Sequence, residues 1–132
     1  MFFKTIIIGF LFAASLSIAD EGCHLVAPAY DYDLVVYSKP GCPSDAQAQH
    51  WSWPVDKDCK KSKCFDFAKG YHKLNDRMRS FMFVARDQRQ TLRFYRDYSC
   101  GGPEHTLPPG TTYGHSVSRD LWGTSSFKVC LN

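Results

Sequence analysis

The stretch "LRFYRDYSCGG" occupies residues 92–102, and "LVVYSKPGCPS" occupies residues 34–44, 58 positions earlier. Leu34 aligns with Leu92, Val36 with Phe94, Tyr37 with Tyr95 and Cys42 with Cys100, without a gap. A second pair of segments matches at an offset of 46: "NDRMRSFMFV" (75–84) lies beside "LWGTSSFKVC" (121–130). There Ser80 meets Ser126 and Phe81 meets Phe127, with Phe83 and Val129 two positions on, on the same strand face. The order is strand, cysteine turn, variable middle and a Ser-Phe-x-apolar strand, and then all of it again. The offset falls by 12, which places about a dozen extra residues in the first copy, within 47–72, where Cys59 and Cys64 also lie.

Period-two patterning marks the strands: Leu34 and Val36, Leu92 and Phe94, Phe81 and Phe83, Phe127 and Val129. Turn signals punctuate them at Pro40-Gly41, Gly101-Gly102-Pro103 and Pro108-Pro109-Gly110. Helix is expected only locally, at 64–74 and 44–50. Two such β units packed face to face predict an all-β domain, a small antiparallel sandwich with its core between the sheets.

The first 19 residues read as a secretory signal. A single Lys4 precedes an apolar run over residues 6–14, and small residues follow to Ala19. The run is too short for a spanning helix of about 20 residues. Cleavage after Ala19 leaves residues 20–132 as one domain, with motif one at about 33–84 and motif two at about 91–130. The remaining charge is 15 basic against 13 acidic residues, too weak to imply nucleic-acid binding. Six cysteines, Cys23, Cys42, Cys59, Cys64, Cys100 and Cys130, form an even set in a short secreted chain and predict three disulfides. The spacing of Cys59 and Cys64 does not suit zinc. The pairing stays open among 15 possibilities.

The second copy resembles a Greek-key motif of the βγ-crystallin superfamily. That motif runs aromatic, four residues, aromatic, one residue, Gly; here it reads Tyr95-x4-Cys100-x-Gly102, with Cys in the second aromatic place. Leu107-Pro108-Pro109-Gly110 resembles the stretch before the third strand, and Ser126-Phe127 the opening of the fourth. The first copy keeps Tyr37-x4-Cys42 but has Ser44 where Gly belongs. The cysteine-rich, secreted form is similar to the killer-toxin-like and antifungal branch and to small fungal effectors of this fold. A bacterial metalloproteinase-inhibitor branch shares it.

The resemblance raises calcium first. The superfamily's signature is two Asn/Asp, two variable residues, Ser/Thr, then Ser. Asn75-Asp76-Arg77-Met78-Arg79-Ser80 fails at Arg79, where a guanidinium stands in place of a hydroxyl oxygen. The second copy keeps the hydroxyls of Ser125 and Ser126 but has Leu121 and Trp122 in the Asn/Asp places. The expectation is a degenerate site at Asn75, Asp76 and Ser80, and no metal or other cofactor.

No nucleophile elbow, HExxH or free nucleophilic Cys is present. Glu104-His105 with nearby arginines could serve a small ribonuclease, but follows Gly-Gly-Pro in an expected loop. The sequence thus predicts no catalytic residues. Trp51 and Trp53, two apart on a strand, face the same way and adjoin Lys57, Lys60, Lys61 and Lys63. Aromatic rings beside lysines suit a sugar, a lipid headgroup or a protein. These six residues are the candidate binding site. The implied function is a secreted, monomeric, non-enzymatic binder, antimicrobial or effector-like, acting on an extracellular protein or a wall or membrane component of another organism. A protease inhibitor presenting Lys39-Pro40-Gly41-Cys42-Pro43 and a secreted ribonuclease are the alternatives.

Overall fold

The computed structural model describes residues 17–19, 23–24, 27–67, 74–110 and 112–131. Among the described residues nine strands make two sheets. Chain order is β1 (Ser17–Ala19), β2 (Tyr32–Tyr37), β3 (Ala48–Trp53), β4 (Phe65–Asp66), β5 (Ser80–Ala85), β6 (Gln90–Tyr95), β7 (Glu104–Thr106), β8 (Thr112–Ser116) and β9 (Ser126–Leu131). The first sheet runs β1-β8-β5-β2-β3 and the second β4-β9-β6-β7. Apart from β1, which pairs in parallel with residues 112–114, both are four-stranded and antiparallel.

The two copies are not two separate sheets packed together, as a simple duplication suggests. Each lends its third strand to the other's sheet. β4 of the first copy pairs with β9, and β8 of the second pairs with β5. This exchange makes each sheet depend on both copies, and it gives the core contributions from both. The alternating residues face inward as their period predicts: Leu34, Val36, Phe81, Phe83, Leu92, Phe94, Phe127 and Val129 are all buried. Phe81 meets Phe94 edge-on across the sandwich at 5.0 Å and stacks on Tyr113 at 4.3 Å.

The expected helix at 44–50 is turn and strand, and of 64–74 the described part is strand at residues 65–66 and a 3₁₀ position at Phe67. Residues 44–46 lie in the turn before β3, and Phe65–Asp66 is β4. Residues 68–73 lie outside the described residues. β-rich neighbours with open backbone positions override a weak local helical pattern. Among the described residues there is no α-helix, and 3₁₀ turns lie at Cys59–Lys61, Tyr98–Cys100 and Arg119–Leu121, with Phe67 a further 3₁₀ position. None of the helices described is long and apolar enough to cross a membrane. The expected signal lies outside the described residues except for Ser17–Ala19.

The longest part of the insertion, six of the dozen residues, falls between β3 and β4, within the expected 47–72. Residues 54–64, eleven of them, join β3 to β4, against five (107–111) between β7 and β8. Three disulfides close the fold: Cys23–Cys42, Cys59–Cys130 and Cys64–Cys100. The equivalent cysteines Cys42 and Cys100 each take a different arm, one the N-terminal segment and one the insertion. Such bridges belong to an oxidising environment.

Candidate functional site

The insertion leaves β3 at Trp53, wraps the β4–β9 edge and returns at Cys64. Its two cysteines tie it to the second copy, Cys59 to β9 and Cys64 to the turn after β6. Within the loop, Asp56 accepts the Asp58 backbone N–H at 3.0 Å, and Asp58 caps the 3₁₀ turn by accepting the N–H of Lys60 at 3.0 Å. Asp31 anchors the loop's start by accepting the Val55 N–H at 2.7 Å. Two bridges and three backbone bonds hold the loop in one shape.

The six expected binding residues divide. Trp51 is only 6% exposed, stacked on Phe67 at 5.5 Å and edge-on to Phe127 at 4.9 Å. It belongs to the core, and its place in a binding surface is corrected on that ground. Trp53 faces the same way, as the two-residue period requires, but ends its strand at the rim of the sandwich and stays 43% exposed. Its neighbours are Phe65, at 5.6 Å, and the Lys63 ammonium, 4.4 Å from the ring centre. Lys57, Lys60, Lys61 and Lys63 are all exposed. None of the four forms an ion pair among the described residues. Trp53, Pro54, Val55, Asp56, Lys61 and Lys63 line one cleft of about 340 Å³.

Two further cations stand beside this loop. Arg93 on β6 lies directly opposite Lys128 on β9, on the outer face of the second sheet. Lys128 donates to the Cys59 carbonyl at 3.4 Å, which joins the pair to the loop. These residues are 35 positions apart, so only the strand register brings them together. Alternation outward from Phe94 and Phe127 was the one signal in the sequence. The Glu104 carboxylate lies 4.0 Å from Arg93. The Thr106 hydroxyl bonds to Glu104 at 2.6 Å, and this, with Tyr95 and the two cations, holds its carboxyl below the usual range. Tyr95 moves the opposite way, chiefly through burial.

The other candidates fare differently. Glu104 and His105 line a cleft of about 190 Å³ with Arg96, Asp120 and Thr124. A carboxylate held low makes a weak general base, and Asp120 is held low too, chiefly by the Ser118 hydroxyl. The Lys39–Pro43 turn is sewn into the fold: the Lys39 carbonyl accepts from Ser80 at 2.6 Å, and the Gly41 N–H donates to Ser116 at 2.9 Å. Gly41 and Cys42 are left-handed. A protease reads an extended strand, which this turn does not present.

At the calcium-like stretch, Asp76 is left-handed and pairs with Asn75 at 3.4 Å. The Ser80 hydroxyl is spent on the backbone of Lys39 and Cys42. The Arg79 guanidinium lies 4.0 Å over the Trp122 ring and donates to the Met78 carbonyl. A fixed cation and a committed hydroxyl do not suit a hard divalent ion. Among the described residues no group of three His, Cys, Asp or Glu is placed to hold a metal.

The sequence matches no family model and no curated protein. Solved structures do match. A chain from a study of the evolution of the eye-lens βγ-crystallin domain fold is 15% identical, with a TM-score of 0.51, covering 83% of this chain and 95% of that one. A βγ-crystallin domain of the Abundant Perithecial Protein of Neurospora crassa, in its calcium-bound form, is 16% identical with a TM-score of 0.51, covering 83% and 96%. The strand exchange, the paired cysteine turns and these neighbours agree: the chain has the βγ-crystallin fold, stabilised by disulfides.

Proposed function

We propose that this is a secreted, non-enzymatic binding protein that works outside the producing cell on a target belonging to another organism, as an antimicrobial toxin or an effector. The observation that carries this reading is the loop 54–64. It has no counterpart of its length in the second copy, it is stapled at Cys59 and Cys64, and it presents Trp53 with four exposed lysines. Val55 and the two bridges serve the fold, but Trp53 and the four lysines stay exposed and add nothing to the core. A rigid, charged, aromatic loop loses little entropy on binding, which suits capture of an extracellular partner.

The test uses protein expressed with its own leader and purified from culture medium. An N-terminus at Asp20 supports secretion by cleavage there. Growth and leakage assays on yeasts, moulds and bacteria, with pull-down from host extracellular fluid, then look for activity. Activity or capture that Trp53→Ala together with Lys61→Gln abolishes supports the reading. Turnover of RNA, or stoichiometric protease inhibition that depends on Lys39, overturns it.

A further inference from the structure

The strapped loop and the outer face of the second sheet form one continuous surface. At one end Trp53 projects from the rim with Phe65 behind it and Lys61 and Lys63 at its side. The loop carries the chain across the β4–β9 edge, and Cys59 then sits against Lys128 through both its carbonyl and its bridge to Cys130. Next to Lys128 stands Arg93. The loop thus joins the aromatic platform and its lysines to the arginine–lysine pair through the contact of Lys128 with Cys59.

The Arg93–Lys128 pair is costly as it stands. Like charges directly opposite on neighbouring strands repel. Glu104 offsets one of the two at most, at 4.0 Å, and its oxygen already accepts from Thr106. The Arg93 Nε–H is buried and has no hydrogen-bond partner among the described residues. A guanidinium whose side chain is 26% exposed, beside an ammonium that donates to the Cys59 carbonyl at 3.4 Å, is a place for an anion. The loop lysines repeat the theme, since none of them has a carboxylate partner among the described residues.

The surface is also interrupted. Asp56, Asp58 and Glu104 stand among the cations. A sugar chain with acid groups offers its anions to the cations and the flat apolar face of a ring to Trp53. A lipid surface needs more apolar depth than one exposed tryptophan supplies.

We infer that this face binds an acidic polysaccharide: Trp53 stacks on a sugar ring, Lys61 and Lys63 take an acid group beside it, and Arg93 with Lys128 takes a second one further along the chain. The inference rests on reading the loop as the binding surface and adds the class of ligand.

Calorimetry on the secreted protein tests it, with polygalacturonate and dextran sulfate as the carboxylate and sulfate probes. Fully methyl-esterified polygalacturonate serves as the uncharged control and polyuridylate as the polyphosphate control. The expected result is micromolar affinity for at least one acidic glycan, and which one binds identifies the acid group. Affinity falls about tenfold for Trp53→Ala. For Arg93→Gln and for Lys128→Gln, each checked by its melting temperature, both the affinity and the slope of log Kd against log salt fall. Glu104→Gln, which removes the competing carboxylate, strengthens binding, and Lys39→Gln, on a distant turn, leaves it unchanged. Equal binding of the esterified polymer overturns the inference, as does polyuridylate binding as tightly as the glycans, or an affinity indifferent to Trp53 and Arg93. Failure of every glycan to bind overturns it as well. If loop-dependent growth inhibition or protein capture persists in that case, the proposed function stands and only the ligand class falls.

Discussion

Ser80 accepts the backbone N–H of Cys42 at 2.9 Å, and Ser126 holds the N–H of Cys100 at the same distance. Each hydroxyl also donates to the carbonyl three residues before its cysteine, Lys39 at 2.6 Å and Asp97 at 2.5 Å. One serine per copy thus closes the left-handed turn after the first strand of that copy. Replacing either by Ala strips a donor and an acceptor of their partners, the Cys42 N–H buried and the others part-buried, at up to about 1–3 kcal/mol for each group left unsatisfied. We expect Ser80→Ala and Ser126→Ala each to lower stability by roughly 2 kcal/mol or more on that scale, read from urea midpoints at constant m-value. A loss smaller than about 0.5 kcal/mol, the level of an ordinary surface substitution, rejects the assignment.

Those turns were legible in the sequence because they repeat. Tyr37-x4-Cys42 and Tyr95-x4-Cys100 share spacing, and Ser80-Phe81 and Ser126-Phe127 share their step, so matched backbone demands left matched residues. Period two placed Leu34, Val36, Phe94 and Val129 in the core for the same reason. The strand exchange left no such trace. Phe65–Asp66 is only two residues long, too short for a period, and its partner β9 lies sixty residues on. Nor does periodicity separate Trp51 from Trp53. Both point inward, and only the extent of the opposing sheet decides that one is covered. Arg93 and Lys128 read as two ordinary surface cations until register sets them side by side.

The bridges make a second prediction. Cys59–Cys130 spans 71 residues, Cys64–Cys100 spans 36 and Cys23–Cys42 spans 19. Loop-closure entropy gives about 4.4, 3.8 and 3.2 kcal/mol respectively, on a model that neglects native strain. Paired Cys→Ala variants should therefore lose stability in that order. Removing either of the first two also frees the loop, so binding should weaken more than it does after loss of Cys23–Cys42. A stability loss that is largest for the Cys23–Cys42 pair contradicts the loop-length argument.

Gly102 carries a third. Its φ is +73°, and a Cβ there would lie 2.4 Å from the Asp97 carboxylate. The first copy escapes this demand with Ser44 because its connection between strands is two residues longer, ten (38–47) against eight (96–103). Gly102→Ala should cost about 1–2 kcal/mol from the left-handed backbone alone, and more for moving Asp97. Ser44→Gly should change little. Thermal unfolding of both variants checks this, and a Gly102→Ala protein as stable as the parent rejects it.

Acid should weaken the fold partly through Glu104. Thr106, Tyr95 and the cations Arg93 and Lys128 favour its charged form and hold its pKa below the ordinary value. A lowered native pKa gives stability that is complete above the unfolded value, about 4.3, and is lost as pH falls through the native one. Glu104→Gln should accordingly flatten the fall in melting temperature below about pH 4.5 without abolishing it. Asp87, which the Arg89 guanidinium and backbone N–H hold at about 2, contributes a further part of the same limb. An unchanged acid limb in Glu104→Gln would show that the carboxylate is not coupled to its neighbours.

Arg79 stands in a place where the superfamily's calcium signature needs a hydroxyl oxygen, and it covers the Trp122 ring at 4.0 Å. Arg79→Thr turns 75–80 into Asn-Asp-x-x-Thr-Ser and removes a fixed positive charge. Asp76 is already left-handed and exposed. Calcium should bind the variant in the weak range of extracellular modules, about 10⁻⁴–10⁻³ M, because the Ser80 hydroxyl remains committed to the turn at Cys42. The parent should show no heat of binding at the same concentrations. Loss of the cation–ring contact should cost the metal-free variant about 0.5–1 kcal/mol, and calcium should restore it. If parent and variant bind calcium alike, Arg79 is not what disables the site. If neither binds, the serine's structural bonds and the loop's backbone decide the matter before any side chain at position 79 does.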